Sequence, residues 1–232
     1  MQKQSAHKKL FQMLVLGEFA HQFASQIYPY EEDRNVINFE AMDEVTDPGT
    51  DFDQDEITTK CRHDAIISFF PEHGRKERPL DKNLGESWFT HVSVEIKNSL
   101  SDLTKNGPKM VQYLGATDYF FLGVPKNLLP AAVQLLQRKP LAAHVDQIGL
   151  IDLTKGQIVI MPARQKEKDK LRQALLCQRI YEQHKRYSNP EAAYTVRGTL
   201  TDPKDKPKLQ EIGPFAVCKP YGRLVQSNLF EQ

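Results

Sequence analysis

Cysteine is scarce in this sequence. Cys61, Cys177 and Cys218 are odd in number and widely spaced, with no CxxC pair. Neither a disulfide framework nor a zinc site is indicated, and a reducing, cytoplasmic setting is expected. Long apolar runs are missing too: no window approaches the roughly 18 residues of a membrane span, so no membrane partner is expected. The stretch from Met1 to Gln22 carries lysines ahead of an apolar run, but Glu18, His21 and Gln22 interrupt it. No small-residue cleavage site follows, so secretion is not expected. An excess of either charge is lacking as well: the formal net charge is +1, which neither demands nor excludes nucleic acid. No internal repeat is evident.

What is present is an ordinary globular composition. Hydrophobic residues make up 40% and charged residues 26% of 232 residues, enough to build a packed core and too apolar for a disordered chain. Charge is unevenly spread. Acids crowd residues 40–56, and lysine and arginine crowd 164–186. The acids from Asp51 to Glu56 lack the glycine and glutamate positions of a calcium loop and read as a solvated loop.

Residues 8–25 place Leu10, Phe11, Leu14, Val15, Phe19 and Phe23 at helical spacing, which predicts an amphipathic helix with Glu18 at the edge of its apolar stripe. Residues 28–60 read as a loop-rich excursion with one short strand at Val36–Phe39. Residues 63–70 are β-branched and aromatic up to Pro71, a strand signal. Residues 91–97 alternate strictly: Val92, Val94 and Ile96 on one side, Ser93, Glu95 and Lys97 on the other. A helix is expected over 100–116, kinked at Gly107-Pro108. Residues 119–124 form a continuous apolar run, as in a strand covered on both faces. A short helix over 126–138 follows, then a hairpin of 148–153 and 157–161 turning at Thr154-Lys155-Gly156. A basic helix is expected over 165–187, and residues 188–232 show no sustained period. This order predicts an α/β sandwich, a mixed central β-sheet flanked by helices, within residues 1–165. Residues 166–187 would form an added helix and 188–232 an irregular extension.

If the strands at 63–70 and 91–97 are antiparallel neighbours, Asp64 falls at the same sheet edge as Glu95 and Lys97. Two carboxylates that close repel unless a cation lies between them, and hard oxygen donors suit Mg²⁺ (or Mn²⁺). Such an ion acidifies a water and neutralises charge on a phosphate. Lys97, on the face of Glu95, is placed to hold that water or to stabilise the phosphate in transition. Ser93 shares the face and can give a hydrogen bond. His63 and the pair Trp88-Phe89 read as structural. A lone Glu-x-Lys on a strand is more often a solvated pair of little energetic consequence.

The segment from Cys61 to Phe70, followed by His91 to Ser99, a helix and the run from Asp118 to Pro125, resembles the PD-(D/E)xK nuclease superfamily and is similar to MmcB-like DNA repair proteins. No proline precedes Asp64. The resemblance spans about residues 8–165. It implies a restriction-endonuclease-like fold that cleaves DNA, with Asp64 and Glu95 as metal ligands and Lys97 as the catalytic lysine. It further implies Glu18 as an added acid from the first helix, and Gln112 and Tyr113 as a pair on the helix after the Glu-x-Lys strand. Lys105 and Lys109 on that helix are expected to hold phosphates. A homodimer is left open. The other readings are a catalytically inactive nuclease-fold protein acting as a nucleic-acid-binding or scaffold module, and an unrelated α/β interaction protein.

Overall fold

The computed structural model describes residues 9–11, 13–14, 18–28, 36–47, 61–72, 90–165, 172, 176, 195–200 and 215–218. Eight strands form one mixed sheet: β1 (Val36–Asp47), β2 (Cys61–Glu72), β3 (Thr90–Ile96), β4 (Tyr119–Val124), β5 (Ile148–Asp152), β6 (Gln157–Ile160), β7 (Thr195–Leu200) and β8 (Phe215–Cys218). Their order is β6-β5-β4-β3-β2-β1-β7-β8. β3, β4 and β5 run parallel; β1, β2 and β3 are antiparallel neighbours, as are β5 and β6 and β1 and β7, while β7 and β8 are parallel. Helices α1 (Phe19–Ile27), α2 (Leu100–Asn106) and α3 (Leu129–Leu136) complete the described α/β sandwich.

Strict alternation along β3 divides the core. Val92, Val94 and Ile96 face α1, packed with Phe19, Phe23, Phe69 and Phe121. The Phe23 ring lies 4.9 Å from Phe69 and 5.1 Å from Tyr119, and Phe19 meets Phe121 edge-on at 5.3 Å. Such pairs add about 0.5–1.5 kcal/mol each beyond area burial. The opposite face carries Phe120, Leu122, Ile148 and Leu150 under Leu103, Leu135 and Leu136. The two α crossovers β3-α2-β4 and β4-α3-β5 therefore cover that face, and the parallel strands are buried on both sides, as their unbroken apolar sequence requires.

Several elements differ from the sequence expectation for physical reasons. β1 runs 12 residues, well past Phe39 and through Glu40, Asp43 and Glu44. It pairs with both β2 and β7, and two-sided pairing outweighs the low strand propensity of acids. β2 includes Pro71, which lies beyond Phe69↔Thr90, the last pairing toward Pro71 with β3. A missing N–H is tolerated where one side has no ladder partner. The helix after β3 ends at Asn106 and gives way to a 3₁₀ segment, Gly107–Tyr113, as proline inside a helix dictates. The expected first helix shows a turn at Glu18, with α1 beginning at Phe19. The hairpin forms as expected, with Gly156 at φ 61° in its turn, a conformation glycine adopts without strain. Residues 188–232, read as irregular, contribute β7 and β8. Trp88-Phe89, the acids 51–56 and most of the basic stretch 166–187 lie outside the described residues.

Two polar clamps tie the ends of this fold together. Ile158 donates its N–H to the Gln22 side-chain oxygen at 2.8 Å, joining α1 to β6. Fully buried Asp118 accepts the His91 N–H at 2.9 Å and the Arg164 guanidinium at 3.0 Å, while its carbonyl accepts the Gln165 N–H at 2.8 Å. The chain leaving β6 is thereby fixed beneath β4.

Gly149 on β5 tests the density of the α1 side. A Cβ there would overlap the Phe121 ring and stand 2.6 Å from Pro162 Cδ. Neither neighbour is a flexible side-chain end. Gly149→Ala is expected to lower stability by about 1–3 kcal/mol, as overpacking of a dense core does, measured by urea unfolding; a wild-type midpoint would contradict this packing.

Candidate active site

The register of β2 and β3 brings the proposed acids together. Ala65 pairs with Val94, so the next position along each strand sets Asp64 beside Glu95. Pairing stops there, which leaves the Ile96 N–H without a strand partner on that side. The Asp64 carboxylate takes it at 2.8 Å, while Lys97 N–H continues the ladder to Gly123 at 2.9 Å. The acid therefore does local structural work at the point where the strands part. The cluster lies at the carboxyl ends of the parallel strands β3 and β4, the edge where open α/β sheets gather their functional groups.

Glu95 and Lys97 are each 6% exposed. The Lys97 ammonium donates to Glu95 Oε1 at 2.5 Å and lies 3.8 Å from Asp102 Oδ1. Burial, reinforced by Asp64, pushes the Glu95 carboxyl up to about 7, against the pull of Lys97 and Tyr113. Burial draws the Lys97 ammonium down, but Glu95, Asp64 and Asp102 outweigh it and hold its pKa above the usual lysine value. The Tyr113 hydroxyl acts on the Glu95 carboxyl yet donates to the Arg62 carbonyl at 3.2 Å. With the Tyr113 proton directed to Arg62, its hydroxyl reaches the Glu95 carboxyl only weakly, and among the described residues buried Glu95 Oε2 has no hydrogen-bond partner of good geometry. A buried carboxylate oxygen in that condition costs about 1–3 kcal/mol.

The neighbouring groups are fixed from below. Ser93, 1% exposed, bonds His63 Nδ1 at 2.5 Å, and His63 is fully buried. The Tyr113 ring packs across His63 with 5.0 Å between centroids and stacks on Phe120 at 5.7 Å. Ser93 thus holds the floor of the site, and Tyr113 forms one wall. Gln112 is exposed, and its carbonyl accepts Arg172 at 2.7 Å. Lys105 and Lys109 are exposed on α2 and the following 3₁₀ segment, on the sheet face that carries Glu95. Glu18 is not brought to this cluster. It precedes α1, on the opposite face of the sheet, where its carboxylate accepts Gln22 Nε2 at 2.9 Å and its N–H reaches the Lys155 carbonyl. A separate cleft of about 440 Å³, lined by residues including His144, Asp146 and Arg164, does not contain the Glu95–Lys97 pair.

Asp102 was not among the residues singled out from sequence, although its signal was present. Ser99-Leu100-Ser101-Asp102 has the form of a helix start, and the Asp102 N–H donates to Ser99 Oγ at 3.2 Å. That cap sets the carboxylate in the first turn of α2 beside Lys97.

These residues fit a divalent cation in a limited way. Among the described residues, no group of three or more His, Cys, Asp or Glu is arranged to hold a metal. Asp64 and Glu95 supply two carboxylates, with Oε2 of the latter lacking a well-formed hydrogen bond among the described residues. Few protein ligands suit Mg²⁺, which keeps several of its waters.

The raised Glu95 pKa carries a definite pH signature. In the folded chain the neutral carboxyl is favoured, so between about 4.5 and about 7 the folded state holds a proton that the unfolded state has released. This group's contribution therefore falls as pH rises through that window and levels off above it, by an amount on the order of 3 kcal/mol. Glu95→Gln removes the titration and the Glu95 charge at every pH, with Asp102 still 3.8 Å from the Lys97 ammonium. The stability of Glu95→Gln relative to wild type is expected to move in the variant's favour from pH 5 to pH 8, followed by thermal unfolding; a difference constant with pH would contradict the assignment.

No family model matches the chain, and no curated protein matches it in sequence. Among solved structures, it is similar to a protein of unknown function from Silicibacter pomeroyi, with 20% identity over 81% of this chain and 91% of that one and a TM-score of 0.43.

Proposed function

We propose that the chain is a metal-dependent nuclease that hydrolyses DNA phosphodiester bonds, in keeping with its resemblance to PD-(D/E)xK and MmcB-like DNA repair proteins. The observation that carries this reading is the buried Glu95 carboxylate between Asp64 and Lys97 at the carboxyl edge of the parallel strands, its Oε2 without a well-formed hydrogen bond among the described residues. Asp64 and Glu95 would hold Mg²⁺ or Mn²⁺, which when bound offsets phosphate charge and acidifies a water. Lys97 turns its ammonium toward the attacking water and the phosphate oxygens, where a fixed charge in a desolvated site acts most strongly. Tyr113 and the Ser93–His63 pair keep the carboxylate and its strand in place. Lys105 and Lys109 attract the phosphate backbone from the exposed rim, a contribution that weakens as salt rises.

A second reading has its own support. Lys97 is already bonded to Glu95, and the described residues offer two acids at the strand ends in place of three. On that basis the chain is a catalytically inactive nuclease-fold protein that binds nucleic acid or acts as a scaffold.

Cleavage of single-stranded, duplex and flapped DNA in Mg²⁺ or Mn²⁺ separates the two. Wild type is expected to cut at least one substrate, with Glu95→Ala and Lys97→Ala each slower by ~10²-fold or more at matched thermal stability. Wild type that binds DNA in a salt-dependent manner without cutting would sink the nuclease reading in favour of the binding module.

A further inference from the structure

Lys97 has two carboxylates within its reach, and they differ in kind. Glu95 shares its strand, is as buried as the lysine, and is a proposed metal ligand. Asp102 belongs to the first turn of α2, with its side chain 32% exposed and its oxygen 3.8 Å from Nζ. The distances to the two are 2.5 Å and 3.8 Å, so both carboxylates lie within the swing of the lysine's terminal side-chain bonds.

Charge makes that transfer necessary. Glu95, Asp64 and Asp102 all act on the Lys97 ammonium. An ion on Glu95 repels an ammonium bonded to the same carboxylate. A buried ammonium stripped of its partner is unfavourable unless another acceptor receives it. Asp102 is that acceptor, held in position by the Ser99 cap.

We propose that Asp102 is a positioning residue, a second station that receives the Lys97 ammonium when Glu95 binds a divalent metal ion. This rests on the metal-dependent reading of the site above. At rest Lys97 neutralises Glu95 and closes the pair. With the ion bound, Lys97 shifts toward Asp102 and its ammonium is held at the edge of the site, next to where a phosphate would lie. Asp102 itself touches neither the ion nor the substrate.

The test is a double-mutant cycle on Mg²⁺ affinity, measured by isothermal titration calorimetry on the full chain with wild type, Asp102→Asn, Lys97→Met and the double variant, each first checked for wild-type thermal unfolding. NMR of the Lys97 ε-methylene signals reports the ammonium directly. Asp102→Asn is expected to weaken Mg²⁺ binding about 10-fold and to abolish the Mg²⁺-dependent shift of the Lys97 signals, with Asp102→Glu restoring both. In the Lys97→Met background, Asp102→Asn is expected to have no further effect, because its role runs through the lysine. An equal loss in both backgrounds would reduce Asp102 to a distant charge and overturn the second station while leaving the metal site standing. Wild type with no Mg²⁺ affinity would overturn both the station and the nuclease reading.

Discussion

A carboxylate and an ammonium buried together at the end of β3 set the terms for everything around them. Glu95 and Lys97 occupy alternate positions of one strand, so they emerge on the same face, where both are buried beside Tyr113 and the α2 side of the core. Burial raises the cost of each charge, and their contact at 2.5 Å recovers part of it. The arrangement holds only if the surrounding backbone is rigid. Parallel pairing of β3 with β4 and antiparallel pairing with β2 fix the strand from both sides.

The supporting groups each satisfy a backbone or packing requirement and so hold the charges in place at the same time. Asp64 accepts the N–H that is exposed where β2 leaves β3. Ser99 caps α2 and thereby sets Asp102. Tyr113 closes the 3₁₀ segment, with its ring against His63 and Phe120 and its hydroxyl on Arg62. The Gly107-Pro108 break is what allows this last placement. A continuous α-helix would have carried residue 113 along a different axis, while the tighter 3₁₀ path returns it to the sheet.

The parts of the fold legible in the sequence were those whose residue pattern is a direct response to burial. Alternation over 91–97 gave β3 and its two faces, and the apolar run 119–124 gave a strand covered on both sides. Asp64, Glu95 and Lys97 were legible for the same reason, since charged residues at the ends of such runs have few places to go. β1 was read short because its acids are poor strand formers and its two-sided pairing is a long-range fact. β7 joins the sheet through pairing with β1 that no local period reveals. Glu18 shows the opposite limit: helical spacing puts it at the border of the apolar stripe, but only the side on which α1 packs decides which face of the sheet it meets. Asp102 was missed because a capping box and a site acid have the same sequence.

Stability alone gives little reason for this cluster. Well-packed apolar residues in place of a buried ion pair are often neutral or stabilising, and here the pair is accompanied by a second carboxylate, Asp64, and by an oxygen that has no hydrogen bond among the described residues. A structural ion pair would be more favourable with Oε2 satisfied and Asp64 turned away. The fold instead brings the second acid in, which raises the proton affinity of Glu95 toward neutrality. Carboxyls perturbed in this way by burial beside a second acid gather preferentially at functional sites, although structural ion-pair networks produce them as well. The surrounding structure bears the cost: dense aromatic packing on the α1 face and two-sided strand pairing keep the sheet intact around a site that would weaken it.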